Sequence, residues 1–355
     1  MTLRQASSFE DEGQLVNLDI GRVRWRDLLS FNSIEQHIIL DNTLCHPRQT
    51  EPVMASVRIL MPLISSPRRL FVARADHRLL GYALFREGAL DQRWVVESVG
   101  AAMGIYAAGP VWEELLKHGV IAAGLEGVKR LYAGIPATSP VRTAARRTGF
   151  VPYASEVVHV AEKATRRPAG REIARPQRPA DLWAVHQLYT SVVPKQVQYA
   201  EALTSQCWDV PRKRQLGGYG CQAWLVEEGH QIVAYARVDS RPDAHLLSVL
   251  ARPDRRVVAE DLLATVMSRL AVESPRPVYC HLRGYQAELS HLLEDAGFQP
   301  EGSRDLHVKY TTSPSRVPAV ESVVFTADVK EPSVHRVPTF LQGPPADPSS
   351  DTVGG

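Results

Sequence analysis

Two stretches of the chain share one pattern of apolar and polar positions. Phe71 to Ala75, apolar except for Arg74, and Leu79 to Leu84 are largely apolar runs on either side of Asp76-His77-Arg78. Ala223 to Val226 and Ile232 to Ala236 repeat the pattern around Glu227 to Gln231. Each predicts a β-hairpin. The same series then follows both: a central strand (Arg93 to Val99; Ala244 to Leu250), a helix (Val111 to Leu125; Val257 to Val272) and a further strand (Arg130 to Ile135; Val278 to Leu282). A short helix closed by Gly-Phe comes next (Gly149-Phe150; Gly297-Phe298), then a last strand (Glu156 to Val160; Leu306 to Tyr310). Glycine suits the left-handed position after a helix end, and Ser139-Pro140 suits a helix start. Ahead of each hairpin, a strand (Gly21 to Trp25; Glu172 to Pro176) leads into a helical opening at Arg26-Asp27-Leu28-Leu29 and Ala180-Asp181-Leu182-Trp183.

These anchors keep a period. Asp27 and Asp181 stand 154 positions apart, Gly81 and Ala234 153, and the Gly-Phe glycines 148. Three anchors in order at nearly one spacing predict two domains of one fold. A hairpin followed by alternating strand and helix predicts an α/β fold: a mixed, mostly antiparallel sheet with helices on both faces, built twice. The expected boundaries are a loose leader at 1–19, a first domain at 20–163, a linker at 164–171 and a second domain at 172–312. A Pro/Ser-rich tail at 313–355 reads as disordered, with Val320 to Val329 able to add an edge strand.

The chain has 355 residues, enough for about two domains, and 44% hydrophobic residues, enough for ordinary cores. A net charge of +2 gives no field that would recruit nucleic acid or an anionic membrane. Cys45, Cys207, Cys221 and Cys280 form no metal-ligand spacing and read as reduced, packed cysteines of a cytoplasmic protein. Met1 to Gln14 does not read as a signal peptide, and Val99 to Trp112 is too short and glycine-rich to span a bilayer.

The element order over residues 20–312, with Arg130-Leu131-Tyr132-Ala133 and the Gly-Phe endings, resembles the tandem members of the GNAT acetyltransferase superfamily. The resemblance implies acyl transfer from acetyl-CoA to an amine of a small molecule, with at most one domain active. It also implies sheet edges or a cleft shared between the copies. Members of the superfamily hold the pyrophosphate on backbone N–H groups at a helix start, where those groups have no partner inside the helix. The family's Arg/Gln-x-x-Gly-x-Gly/Ala loop is altered in both copies. In the first, Gly100 to Pro110 keeps Gly100, Gly104 and Gly109 but lacks the arginine. In the second, Arg252 to Val258 lacks the glycines, while Arg255 and Arg256 can pair with phosphates.

Amine acylation needs a base, and the family often uses a glutamate of the central strand. Glu97 matches it in the first copy, where apolar neighbours are expected to raise its pKa. The second copy has no such carboxylate; His245 begins that strand. The family's thiolate-protonating tyrosine falls on Ala145 and Leu293, with Tyr132, Tyr153 and Tyr285 as nearby substitutes. Val192 to Glu201 lies where the family builds its acceptor-binding helices. No nucleophile elbow, zinc-protease helix or Walker loop is present. The alternative expectation is a degenerate copy of the fold that binds a ligand or protein partner without turnover.

Overall fold

A computed structural model describes residues 5–11, 14–41, 68–76, 78–88, 92–102, 108–166, 174–211, 220–273 and 276–311. Gly104, the 313–355 tail and the possible strand at Val320 to Val329 lie outside the described residues. The first half contains β1 (Gln5–Asp11), β2 (Gln14–Arg22), α1 (Trp25–Leu28), β3 (Ile34–Ile39), β4 (Arg68–Ala75), β5 (Arg78–Glu87) and β6 (Arg93–Ala102). It ends with α2 (Ala108–Leu125), β7 (Arg130–Pro136), α3 (Val141–Arg147) and β8 (Val151–Ala161). The second half contains β9 (Arg175–Pro176), α4 (Leu182–Val192), α5 (Lys195–Glu201), β10 (Gly220–Glu228), β11 (Gln231–Ser240) and β12 (His245–Ala251). It ends with α6 (Arg256–Glu273), β13 (Val278–Arg283), α7 (Ser290–Asp295) and β14 (Gln299–Tyr310).

One departure from expectation concerns the leader. Residues 5–11 and 14–22 form a hairpin, β1 on β2, and β2 continues onto β4. The physical reason lies at the end of β2, where Leu18 and Ile20, two positions apart, are buried and enter the first core. The strand expected to reach Trp25 ends at Arg22, and Trp25 opens α1.

The expected turn chemistry is present. Gly229 and His230 both have positive φ in the two-residue turn between β10 and β11, as that turn class requires. Gly149 (φ 82°) and Gly297 (φ 86°) end the two short helices in the left-handed conformation. Gly119 lets α2 lie on β5, since a Cβ there would stand 2.1 Å from the Phe85 ring.

All strands join one sheet, in the order β1-β2-β4-β5-β6-β7-β14-β8-β13-β12-β11-β10-β9, with β3 on β6. Among the described strands only β6–β7 and β12–β13 are parallel. At the centre the halves exchange strands. β14, the last strand of the second half, lies between β7 and β8 of the first. β8, the last strand of the first half, lies between β14 and β13 of the second. Helices cover both faces, as the alternation predicted. On one face α2 and α3 pack a core with Val96, Val111, Leu115, Ile135 and Phe150, and α6 and α7 pack its counterpart with Leu247, Leu263, Met267 and Phe298. The other face carries Phe31, Ile34 and Tyr82 in the first half, and Val185, Leu188 and Tyr235 in the second.

Candidate functional site

In the first half the parallel strands β6 and β7 pair only from Arg93–Arg130 to Val95–Tyr132, then part. The parting coincides with an irregularity on the other edge of β6. Leu84 of β5 faces Ser98, while Phe85 faces Val96, which leaves Glu97 as an extra, unopposed residue. Such a bulge bends the strand and re-aims a side chain. Glu97 is buried, yet its neighbour is not purely apolar. Arg68, at the start of β4, donates through Nε to Oε2 (2.7 Å) and through Nη2 to Oε1 (3.2 Å). The sequence expectation of an apolar surround for this carboxylate therefore misses its main partner, because Arg68 stands 29 positions away and arrives only through sheet pairing. Each carboxylate oxygen has a further lone pair available to a proton donor. Beside this pair, Tyr82 shares a hydrogen bond with His37 (3.0 Å), and burial raises its phenol well above the usual range.

The two described glycines of the first-half loop, Gly100 and Gly109, play different parts. Gly100 lies within β6, and a Cβ there would stand 2.2 Å from the Tyr82 ring and 2.8 Å from Ile34. Its smallness makes room for those side chains rather than for a phosphate. Gly109 sits in the first turn of α2, where a Cβ would meet nothing within 4 Å. An open helix start of this kind can present N–H groups to an anion. Upstream of α2, β3 pairs with the edge of β6 above the parting. Leu40 N and Asp41 N then donate to the Glu97 carbonyl, and Gly134 N of β7 donates to the Leu40 carbonyl.

The second half is organised differently. β12 and β13 pair from His245–Val278 to Leu247–Cys280 and then part. β12 meets β11 without a bulge. The parting is bridged by Gln286, whose Nε2 donates to the Val249 carbonyl (2.8 Å). Behind it is a cavity of about 10 Å³ lined by Val249, Leu263, Cys280, Leu282, Leu289 and Leu293, room for about one water and apolar throughout. Arg255, in the turn before α6, pairs with Glu228 (2.9 Å) and Asp254 (3.0 Å). Arg256 opens α6 and is exposed. The structure thus does not bring Arg255 and Arg256 together with Glu97, Gly100 and Gly109 in one described cluster. Ala145 and Leu293, which take the tyrosine's place in the closing helices, are both buried.

A polar cluster at the junction of the halves was not legible beforehand. Glu156 of β8, fully buried, faces His281 (3.6 Å) and Arg283 (3.2 Å) of β13 and Arg304 (3.4 Å) of β14. Arg283 also reaches Glu201 at the end of α5 (3.3 Å), which accepts a hydrogen bond from the Tyr189 hydroxyl (2.9 Å). Burial, then Arg304, Arg283 and Arg241, push the His281 imidazole down to about 3. Burial raises the Tyr153 and Tyr285 phenols well above their usual range. Period-two alternation puts His281 and Arg283 on one face of β13, but their partner Glu156 comes from the exchanged strand. No spacing within either half could reveal it. Val192 to Glu201 does cover this cluster, with Val193 and Val197 packed near Tyr153, Tyr285 and Leu250.

No protein-family model matches the sequence, and no curated protein matches it. Solved structures match at the level of fold. A GCN5-related N-acetyltransferase from Sphaerobacter thermophilus is 14% identical, covering 74% of this chain and 88% of its own, with a TM-score of 0.50. A tandem GNAT protein from the clavulanic acid biosynthesis pathway is 14% identical, covering 83% of this chain and 99% of its own, at 0.47. A GCN5-related N-acetyltransferase from Kribbella flavida is 13% identical, covering 83% and 71%, at 0.42. Among the described residues no helix is long and apolar enough to cross a membrane. The order of elements in each half and the likeness to the Sphaerobacter structure agree: the chain has the GCN5-related N-acetyltransferase fold, in two tandem copies.

Proposed function

We propose that the chain transfers an acyl group from an acyl-CoA to an amine, with acetyl-CoA as donor, a small-molecule amine as acceptor and at most one half active. The observation that carries this reading is the bulge at Glu97, where β6 and β7 part on a strand that leads toward the open start of α2. The backbone at Gly104 and Gly109 would hold the phosphates, and no side chain at Gly109 obstructs that approach. Arg255 and Arg256 are the corresponding candidates in the second half, where Arg255 would have to leave Glu228 and Asp254. The acyl-CoA supplies the acyl group. Glu97 takes the proton that the amine loses as its nitrogen bonds to the acyl carbon, the acyl C–S bond breaks, and CoA leaves as a thiolate that is protonated from water to the free thiol; Arg68 holds the carboxylate in place for that role. The buried Cys280, whose thiol burial raises to about 12, suits a chain kept reduced in the cytoplasm.

The test is calorimetric titration with acetyl-CoA, then an amine screen. One site per chain that disappears in Gly109→Trp places the cofactor at α2. A Cβ at Gly109 meets nothing within 4 Å, and a thermal melt of the variant beside the titration separates lost binding from lost stability. No binding at millimolar acetyl-CoA, a gain below about 4 kcal/mol, sinks the reading and leaves a scaffold without cofactor.

A further inference from the structure

The first half places its own chain where the acyl donor has to lie. This inference rests on the reading above, with phosphates at the start of α2 and Glu97 as base. β6 runs between those points from Glu97 to Ala102, about 17 Å of extended strand. The arm of an acyl-CoA joins the same two points. It carries amides, and an extended chain of amides pairs with an open strand edge as a peptide does. One edge of that stretch belongs to β5. The other is held by β3, paired from Ile34–Ala102 to Ile39–Ser98 with one irregularity between Ile34 and Gln36. Leu40 then spans the parting, donating to Glu97 on β6 and accepting from Gly134 on β7.

We propose that β3 and the acyl-CoA arm compete for this one edge of β6, so that the first half takes its donor only when β3 lifts away. β3 pairs with no other strand among the described residues, so its release breaks a single ladder. Its middle, Gln36 to Ile39, is only half-buried. Its anchors are buried Ile34 and Leu40, the hydrogen bond between His37 and Tyr82 (3.0 Å), and Asp41, whose Oδ2 accepts from Arg86 Nη2 (2.7 Å). The fraction of molecules with β3 released then scales the apparent affinity for the donor.

Two measurements on the full chain test this. Hydrogen exchange of the β3 backbone N–H groups is followed with and without acetyl-CoA. Acetyl-CoA affinity is compared between the natural chain and Asp41→Asn, which loosens the Arg86 anchor without touching Glu97 or α2. The expected result is faster β3 exchange on addition of acetyl-CoA and binding at least fivefold tighter in Asp41→Asn. Binding with β3 still protected and equal affinities overturns the competition and leaves acyl transfer standing. No binding to either protein removes the acyl-transfer reading and the competition together. If Asp41→Asn fails to melt cooperatively, exchange in the natural chain decides alone.

Discussion

Glu97 owes its place to a backbone irregularity that the residue itself does not announce. The sequence puts a carboxylate in a strand; the mismatch with β5 turns it toward Arg68. Glu97→Gln removes the proposed base while keeping shape, so acyl transfer should fall by about 10²–10⁴-fold with acetyl-CoA affinity little changed, read from steady-state rates beside calorimetry. Unchanged turnover removes Glu97 from the mechanism. Gly100 separates a packing role from a cradle. Gly100→Ala forces Tyr82 and Ile34 aside and should cost about 1–3 kcal/mol in urea unfolding. His281 carries a pH signature. Its ordinary value is 6.5 and the fold lowers it to about 3, so between these values the unfolded chain binds a proton that the folded chain refuses. Its contribution to stability is complete above pH 6.5 and is lost as pH falls toward 3. His281→Phe should flatten that part of the pH–stability curve.

Element by element, the helix openings repeat more faithfully than the site does. Asp27 accepts from the Arg24 backbone N–H (2.5 Å) and from Arg74 Nε (2.8 Å). Asp181 accepts from the Arg178 backbone N–H (2.6 Å) and from Arg175 (2.8 Å). Burial works against the charge of Asp27, but Arg74 and the Arg24 N–H outweigh it and hold the carboxyl below its usual range. Asp27→Ala would strip buried Arg74 of its main partner, leaving the Arg22 carbonyl (3.0 Å) and Asp19 (3.7 Å), and should destabilise by about 3–5 kcal/mol. The more open pair at Asp181 should cost about 1–2 kcal/mol on Asp181→Ala. Similar losses at both positions in thermal melts would refute this difference in burial. These openings were visible in the sequence because a cap acts within three residues. The turns at Gly149, Gly229 and Gly297 were visible for the same reason. The occupation of the β6 edge by β3 was not, since an edge strand's pattern does not name its partner.

For the molecule as a whole, the exchange of β8 and β14 ties the halves together. Each half supplies the strand beside the second member of the other's parallel pair: β14 beside β7, β8 beside β13. The chain should therefore melt in one cooperative transition. Residues 1–163 and 172–355 made as separate chains should each be unstable and should recover together as a one-to-one complex, read by circular dichroism and gel filtration. Two independent melting transitions, or a stable isolated half, would contradict the exchange. Taken alone, the sequence determined what local physics controls: strand and helix periods, hairpin turns, helix caps and the repeat that showed one fold built twice. Only the tertiary structure decided that the last strands cross between halves, that Arg68 meets Glu97, that Glu156 joins Arg283 and Arg304, and that β3 covers the edge of β6. Those contacts join residues far apart along the chain, and strand pairing depends on which edges the packed sheet leaves open, a property no stretch of residues carries by itself.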